Sequence, residues 1–239
     1  MKNTRRFCLA VAAVAGVSLA GPALAGAADA APADGNIAVV QVRKGKLADP
    51  AGAAWKSVPQ TRMEVTTAFA GHPSIVGDAT ATEVNAQAAR AGDELFIRLQ
   101  WKDSSENRQR GIGKFADGVA VQFPTDGSKE TQPFMGGEGK RVNIWHWSAS
   151  KNAGENLVAN GFGSLTRLPV QDVKASGHYA NGTWTVVFHR PVKPQGDDNV
   201  PLANTSGANM PVAFAVWNGS NTERDGFKAV TLEWQGLKF

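Results

Sequence analysis

Cysteine is almost missing from this sequence. The single one, Cys8, lies in a leader that is expected to be removed. A mature chain without thiols excludes disulfides, thiolate zinc sites, iron–sulfur clusters and covalently attached haem. Any metal or cofactor must then be held by Met, His, Lys, Asp or Glu. Long apolar runs are missing as well. Phe7 to Leu19 is too short and wrongly flanked for a membrane anchor. It follows Lys2, Arg5 and Arg6 and precedes Ala23-Leu24-Ala25, which is the layout of an export signal over residues 1–25. The Thr4-Arg5-Arg6 start leaves the general and twin-arginine routes both open. No second run of spanning length follows, so a soluble mature protein of 239 − 25 = 214 residues is expected.

Charge of one sign is the third thing lacking. The formal charge of +4 falls to +4 − 3 = +1 when the three basic residues of the signal leave. Nucleic-acid binding loses its compositional support. There is no His-x-x-x-His pair, no Gly-x-Ser-x-Gly elbow and no evident pair of catalytic carboxylates, so hydrolase chemistry has no residues behind it. Gly136-Gly137-Glu138-Gly139 does not join a strand to a helix, which argues against dinucleotide binding.

What is present is a succession of short strands. Residues 26–36 read as a flexible leader and 37–239 as one domain. Leu95, Ile97, Leu99 and Trp101 alternate with Glu94, Arg98 and Gln100, the period of a half-buried strand. Val84, Ala86 and Ala88 share a face, as do Val119, Val121 and Phe123. Asn181-Gly182, flanked by strand-like runs, predicts a tight hairpin. Residues 151–169 read as irregular, anchored by Phe162 and Leu165. The pattern predicts a mainly β fold, an antiparallel β-sandwich with a few short helices.

Two residues stand out chemically. Met135 sits between Phe134 and the glycines 136 and 137, where a thioether either fills a core or binds a soft metal. Lys228 heads a face with Val230, Leu232 and Trp234. It either sends its ammonium out past the strand end or is a desolvated amine able to bind a metal. His146, on a face with Val142 and Ile144, is the alternative ligand. Seven tryptophans also fit a second reading, a carbohydrate-binding sandwich with aromatic stacking platforms.

Three segments carry a resemblance. They are Asp117-Gly-Val-Ala-Val-Gln-Phe-Pro124, then Pro133-Phe-Met-Gly-Gly137 with Val142-Asn-Ile-Trp-His-Trp147, and the stretch from Ala215 to Thr231. In order and wording they resemble the haem-binding gamma subunits of periplasmic molybdenum oxidoreductases: ethylbenzene dehydrogenase, dimethyl sulfide dehydrogenase, selenate reductase and chlorate reductase. The resemblance implies one non-covalent haem b with methionine and lysine as axial ligands, which fall by motif position on Met135 and Lys228. It implies a non-catalytic, electron-transferring role and a periplasmic location. It also implies a heterotrimer with a molybdenum-pterin catalytic subunit and an iron–sulfur subunit, served by a soluble electron carrier. Phe134, Trp145, Trp147 and Trp217 are candidates to line the pocket, and Gly136 and Gly137 to let the backbone approach the ring. Lys140, Arg141 and Arg224 are candidates for the propionates.

Overall fold

The computed structural model describes residues 35–43, 46–68, 75, 77–196, 199–202 and 207–239. The export signal, nearly all of the leader, the His72-Pro73 turn and parts of the 190–209 loop lie outside the described residues. In chain order the strands are β1 (Asn36–Gln41), β2 (Thr61–Glu64), β3 (Thr66–Thr67), β4 (Glu83–Ala91), β5 (Glu94–Lys102), β6 (Gly118–Pro124) and β7 (Val142–Ser148). They continue with β8 (Ala153–Ala159), β9 (Thr166–Arg167), β10 (Lys174–Ala180), β11 (Thr183–Pro191), β12 (Asn209–Trp217), β13 (Ala229–Val230) and β14 (Gln235–Lys238). Two 3-10 turns, Ala53–Ser57 and Gly219–Asn221, are the helical elements among the described residues. None of the described helices is long and apolar enough to cross a membrane.

The strands run β10-β11-β5-β4-β1-β14-β12-β6-β7-β8-β9, and the sheet curls so that its two wings enclose the core. The first wing is β10-β11-β5-β4 and the second runs from β14 to β9. Most pairs are antiparallel, as expected of a sandwich. The exception is β1, which joins the wings: Asn36–Ala38 pair parallel with β14, and Val39–Gln41 pair parallel with β4.

The alternating residues fill the space between the wings. Val84, Ala86, Leu95, Ile97, Leu99 and Trp101 face Val119, Val121, Phe123, Trp145 and Trp147 within one buried cluster. The hairpin at 181–182 forms as expected, with both turn residues at positive φ (49° and 69°), the conformation that Asn and Gly tolerate best. Residues 151–169 depart from expectation: they contain β8 and β9. Their buried anchors are Leu157 and Leu168, whereas Phe162 and Leu165 are more than half exposed. The alternation there is hidden because Asn156 is buried by partners rather than by its own character. Its amide donates to Val170 O, Asp172 Oδ1 and Asn199 Oδ1, and its oxygen accepts from Asn143. Arg190 ends in the same region, fully buried, 5.0 Å over the Trp145 ring and donating to Asn143, Asn199 and the Val200 carbonyl.

The wings approach again where β10 passes Trp147. The Gly177 N–H and the Trp147 indole both donate to Asn152 Oδ1 (2.8 and 3.0 Å), and a Cβ on Gly177 would collide with the indole ring. Gly177→Ala is therefore expected to destabilise the domain by about 1–3 kcal/mol, the usual cost of overpacking. Denaturant unfolding checks this; an unchanged midpoint would show that the indole has room to move.

Candidate functional site

Each wing has an inner face on the core and an outer face that a loop covers. On the first wing, Leu47, Trp55 and Val58 cover Ala89, Phe96 and Val187. On the second, the outer faces of β6, β7 and β12 are apolar too. Ala120, Gln122, Ile144, Ala213, Ala215 and Trp217 alternate there with the bulky inward residues. Ala215 pairs with Ala120 and Ala213 with Gln122, so the floor at this place is low and flat. Above it opens a narrow cleft with walls that include Phe134, Met135, Phe162 and Lys228.

Met135 is held in place by its loop. Its backbone is left-handed (φ 66°), uncommon for a residue with a long side chain, and its carbonyl accepts from Gly161 N at 2.7 Å. Gly136 follows at φ 69° with its α-carbon against the Lys140 carbonyl, where a side chain would not fit. Gly137 and Lys140 exchange two 2.9 Å backbone hydrogen bonds, and Gln122 Nε2 ties the Pro133 carbonyl to the floor at 2.8 Å. The glycines thus serve the turn that presents Met135, and Gly137 has no atom close to where its Cβ would stand.

Lys228 immediately precedes β13, and its carbonyl accepts from Ala68 N at 2.8 Å. Its side chain runs into the cleft rather than out of it. The residue is 9% exposed, and Nζ lies 5.0 Å from the centre of the Trp217 ring and 4.0 Å from Met135 Sδ. Among the described residues no carboxylate lies within ion-pair distance of this nitrogen. Burial lowers its pKa to about 8, against an opposing pull from Asp225. The expected alternation holds for Lys228 and Val230, which both line the cleft. It fails at Leu232, which is 54% exposed, because the chain turns away after β13.

The two expected ligands therefore meet in one apolar cleft. Met135 Sδ and Lys228 Nζ stand 4.0 Å apart, near enough for both donors to reach one metal ion. A soft sulfur, an amine whose protonation burial already disfavours and a flat alanine floor fit an iron porphyrin. Among the described residues no three His, Cys, Asp or Glu side chains converge to form a competing cage.

The remaining candidates divide. Phe134 and Trp217 line the cleft, while Trp145 and Trp147 are fully buried on the inner face. His146 is on the outer face but outside the cleft lining, 3.4 Å from Glu155 and edge-on to Trp217. Lys140 pairs with Glu130 and Asp126 (3.2 and 3.7 Å), and Arg224 packs over the Phe115 ring at 4.6 Å. Sequence reasoning missed Ala68, Ala120, Ala213, Ala215 and Gln122. The small residues alternating with bulky ones in β6 and β12 were the available signal. Five of the seven tryptophans, Trp55, Trp101, Trp145, Trp147 and Trp184, are buried, which removes them as sugar platforms.

Comparison with known proteins gives the class first. The sequence profile of the ethylbenzene dehydrogenase family matches residues 52–168 and 165–229, more than half of the chain, and the chain belongs to that family. Among relatives, it is 43% identical over 205 residues to the chlorate reductase subunit gamma of Ideonella dechloratans, covering 85% of this chain and 84% of that one. It is 34% identical over 191 residues to a protein of Haloferax mediterranei assigned as a respiratory nitrate reductase heme subunit, covering 80% of this chain and 67% of that one. Among solved structures, a family 9 carbohydrate-binding module from Caldicellulosiruptor kristjanssonii in complex with glucose superposes with a TM-score of 0.52. It spans 85% of this chain and 94% of the module at 9% identity, a likeness of fold alone.

The buried amine makes a measurable prediction. A lysine whose folded pKa is near 8 rather than the ordinary 10.5 holds its proton less well when folded than when unfolded. Below pH 8 both states are protonated and the full burial penalty applies. Between pH 8 and 10.5 the unfolded state binds more protons, so stability rises with pH. In haem-free protein this gain should be about 3 kcal/mol at most, and Lys228→Met should lack it. Urea unfolding of both proteins across pH 7–10.5 tests this; parallel curves would mean that the amine reaches water.

Proposed function

We propose that this protein is the electron-transfer subunit of a multi-subunit oxidoreductase and binds one non-covalent b-type haem between Met135 and Lys228. The observation that carries the reading is the 4.0 Å approach of a thioether and a buried amine that has no carboxylate within ion-pair distance among the described residues, over a largely apolar floor. Its support from relatives is that one is named as a gamma subunit of chlorate reductase and another as a heme subunit.

When bound, haem iron supplies a one-electron couple. Met135 and Lys228 would both hold the iron, leaving the subunit to carry electrons rather than act on substrate. A Met135 thioether on the iron would favour the reduced state and raise the potential. The cost of stripping the proton from Lys228 is lowered in advance by burial. Ala120, Ala213 and Ala215 would offer a low floor to a flat ring, and Phe134 and Trp217 would help to keep water from it. The proposal includes export to the periplasm by the 1–25 signal and a heterotrimer with a molybdenum-pterin catalytic subunit and an iron–sulfur subunit. A soluble periplasmic carrier would be the outer redox partner.

The test is an optical spectrum of the purified protein, oxidised and reduced, with a pyridine haemochrome assay. A Soret band, sharp reduced α and β bands and extractable haem are expected. Met135→Ala and Lys228→Ala should each convert the spectrum to a five-coordinate form or lose the haem. A protein that stays colourless when haem is supplied during expression would overturn the reading.

A further inference from the structure

A second group of buried charges lies away from the Met135–Lys228 cleft. Asp103 at the end of β5, Asp117 before β6 and Glu223 after the second 3-10 turn are 4%, 0% and 1% exposed. No Lys, Arg or His nitrogen among the described residues lies within ion-pair distance of any of them. Buried carboxylates need hydrogen-bond donors, a proton or a cation.

Two of the three are satisfied by donors. Asp117 accepts from Gly219 N at 2.8 Å on one oxygen, and from Asn107 N (2.7 Å) and the Trp184 indole (2.9 Å) on the other. Glu223 accepts from Thr80 N, Thr80 Oγ1 and Asn221 Nδ2 on one oxygen and from Asn218 N on the other. Asp103 differs. Its Oδ1 accepts from Ser105 N and Oγ (3.1 and 3.4 Å), but its Oδ2 is buried with no partner. Asp103 also lines an open cleft with Thr80, Ser104, Asn218, Ser220 and Asn221, whose side chains bring oxygens to it, and with Lys102.

We infer that this cleft binds a hard divalent cation of the calcium class, anchored on Asp103 Oδ2. Oxygen donors of this kind select calcium or magnesium over softer metals. Donors drawn from separate segments, 103–104 and 218–221, suit the irregular coordination of calcium better than the strict octahedron of magnesium. Asn221 donates its amide nitrogen to Asp78 O and Glu223, which leaves its side-chain oxygen available. The charges of Asp117 and Glu223 draw a cation without ligating it, since all four of their oxygens are taken. With one free carboxylate, the affinity belongs in the weak range of extracellular calcium modules, about 10⁻⁴–10⁻³ M. Lys102, exposed at the rim of the same cleft, is the one basic side chain lining it and would compete weakly. Burial, helped by the charges of Asp117 and Glu223, raises the Asp103 pKa to about 6, so at neutral pH the carboxyl is mostly ionised, and a cation entering from the cleft would have to draw the buried Oδ2 toward it. The ion would tie the end of β5 to the 218–223 segment, which leads directly to Lys228.

The test uses the full chain, stripped with a chelator and titrated with calcium chloride to about 10 mM, well above that affinity range. Thermal unfolding should shift upward by about 3–6 °C. Terbium should emit by energy transfer from Trp101 or Trp184 and be displaced by calcium. Asp103→Asn should abolish both responses. If that variant fails to fold, the wild-type titrations still decide. A wild type that shows neither the thermal shift nor displaceable terbium emission overturns the inference, as does a response that persists in Asp103→Asn.

Discussion

The constraint on which the structure turns is that the β6–β7–β12 wing is apolar on both faces. The inner face fills the core with Val119, Val121, Phe123, Trp145 and Trp147. The outer face carries Ala120, Ile144, Ala213 and Ala215, which water would solvate poorly. Something must lie on that face. The loops bearing Phe134, Met135 and Phe162 and the Lys228 side chain do so, and they leave a cleft between themselves and the floor. The site is thus a consequence of how the second wing is covered. On the first wing, Leu47, Trp55 and Val58 pack directly on Ala89, Phe96 and Val187.

Buried charge is handled in different ways in this small domain. Arg190 is neutralised by amide and carbonyl acceptors and by the face of Trp145. Asp117 and Glu223 are met by backbone and side-chain donors. Among the described residues Lys228 receives an aromatic face and a thioether and no ion-pair partner. That contrast sets Lys228 apart from the other buried charges, which are met by hydrogen-bonding groups. The left-handed backbone of Met135 sets that residue apart too, since strain in a long, unbranched residue persists where the surroundings fix it.

Much of the inner face was legible in the sequence because period-2 alternation marks a strand with one polar side. Leu95 to Trp101 and Val119 to Phe123 fell where that pattern put them. The hairpin at Asn181-Gly182 was legible from turn chemistry. Met135 and Lys228 stood out by their settings, but only the family resemblance put them together. The outer floor was harder to read, since in β12 the run from Val212 to Val216 is apolar throughout and only the alternation of small Ala213 and Ala215 with bulky neighbours marks the covered side. β8 was hidden because Gly154 and Asn156 are strand residues only in context. Gly154 packs against the backbone of Val173 to Ala175, and Asn156 belongs to a network that spans several loops. Leu232 was misplaced because Thr231 closes β13, its backbone N–H and hydroxyl both bonded to Phe214, and the chain then swings outward.

The way β1 joins the wings bears on the order in which the chain can assemble. Asn36 pairs with Gly236, 236 − 36 = 200 positions further along. Hairpins of neighbouring segments give β4–β5, β6–β7–β8 and β10–β11, but each wing also needs a distant partner, β11 on β5 and β12 on β6. The seam pairing of β1 with β14 spans more of the sequence than either, carries the largest loop-closure cost among the described strands and belongs late on the folding route. Until it forms, the part of the β12 edge that β14 covers lies open, with the aggregation risk that unpaired strand edges carry. Loss of the few residues of β14 would therefore be felt at the opposite end of the sequence, as a first strand with half of its partners gone.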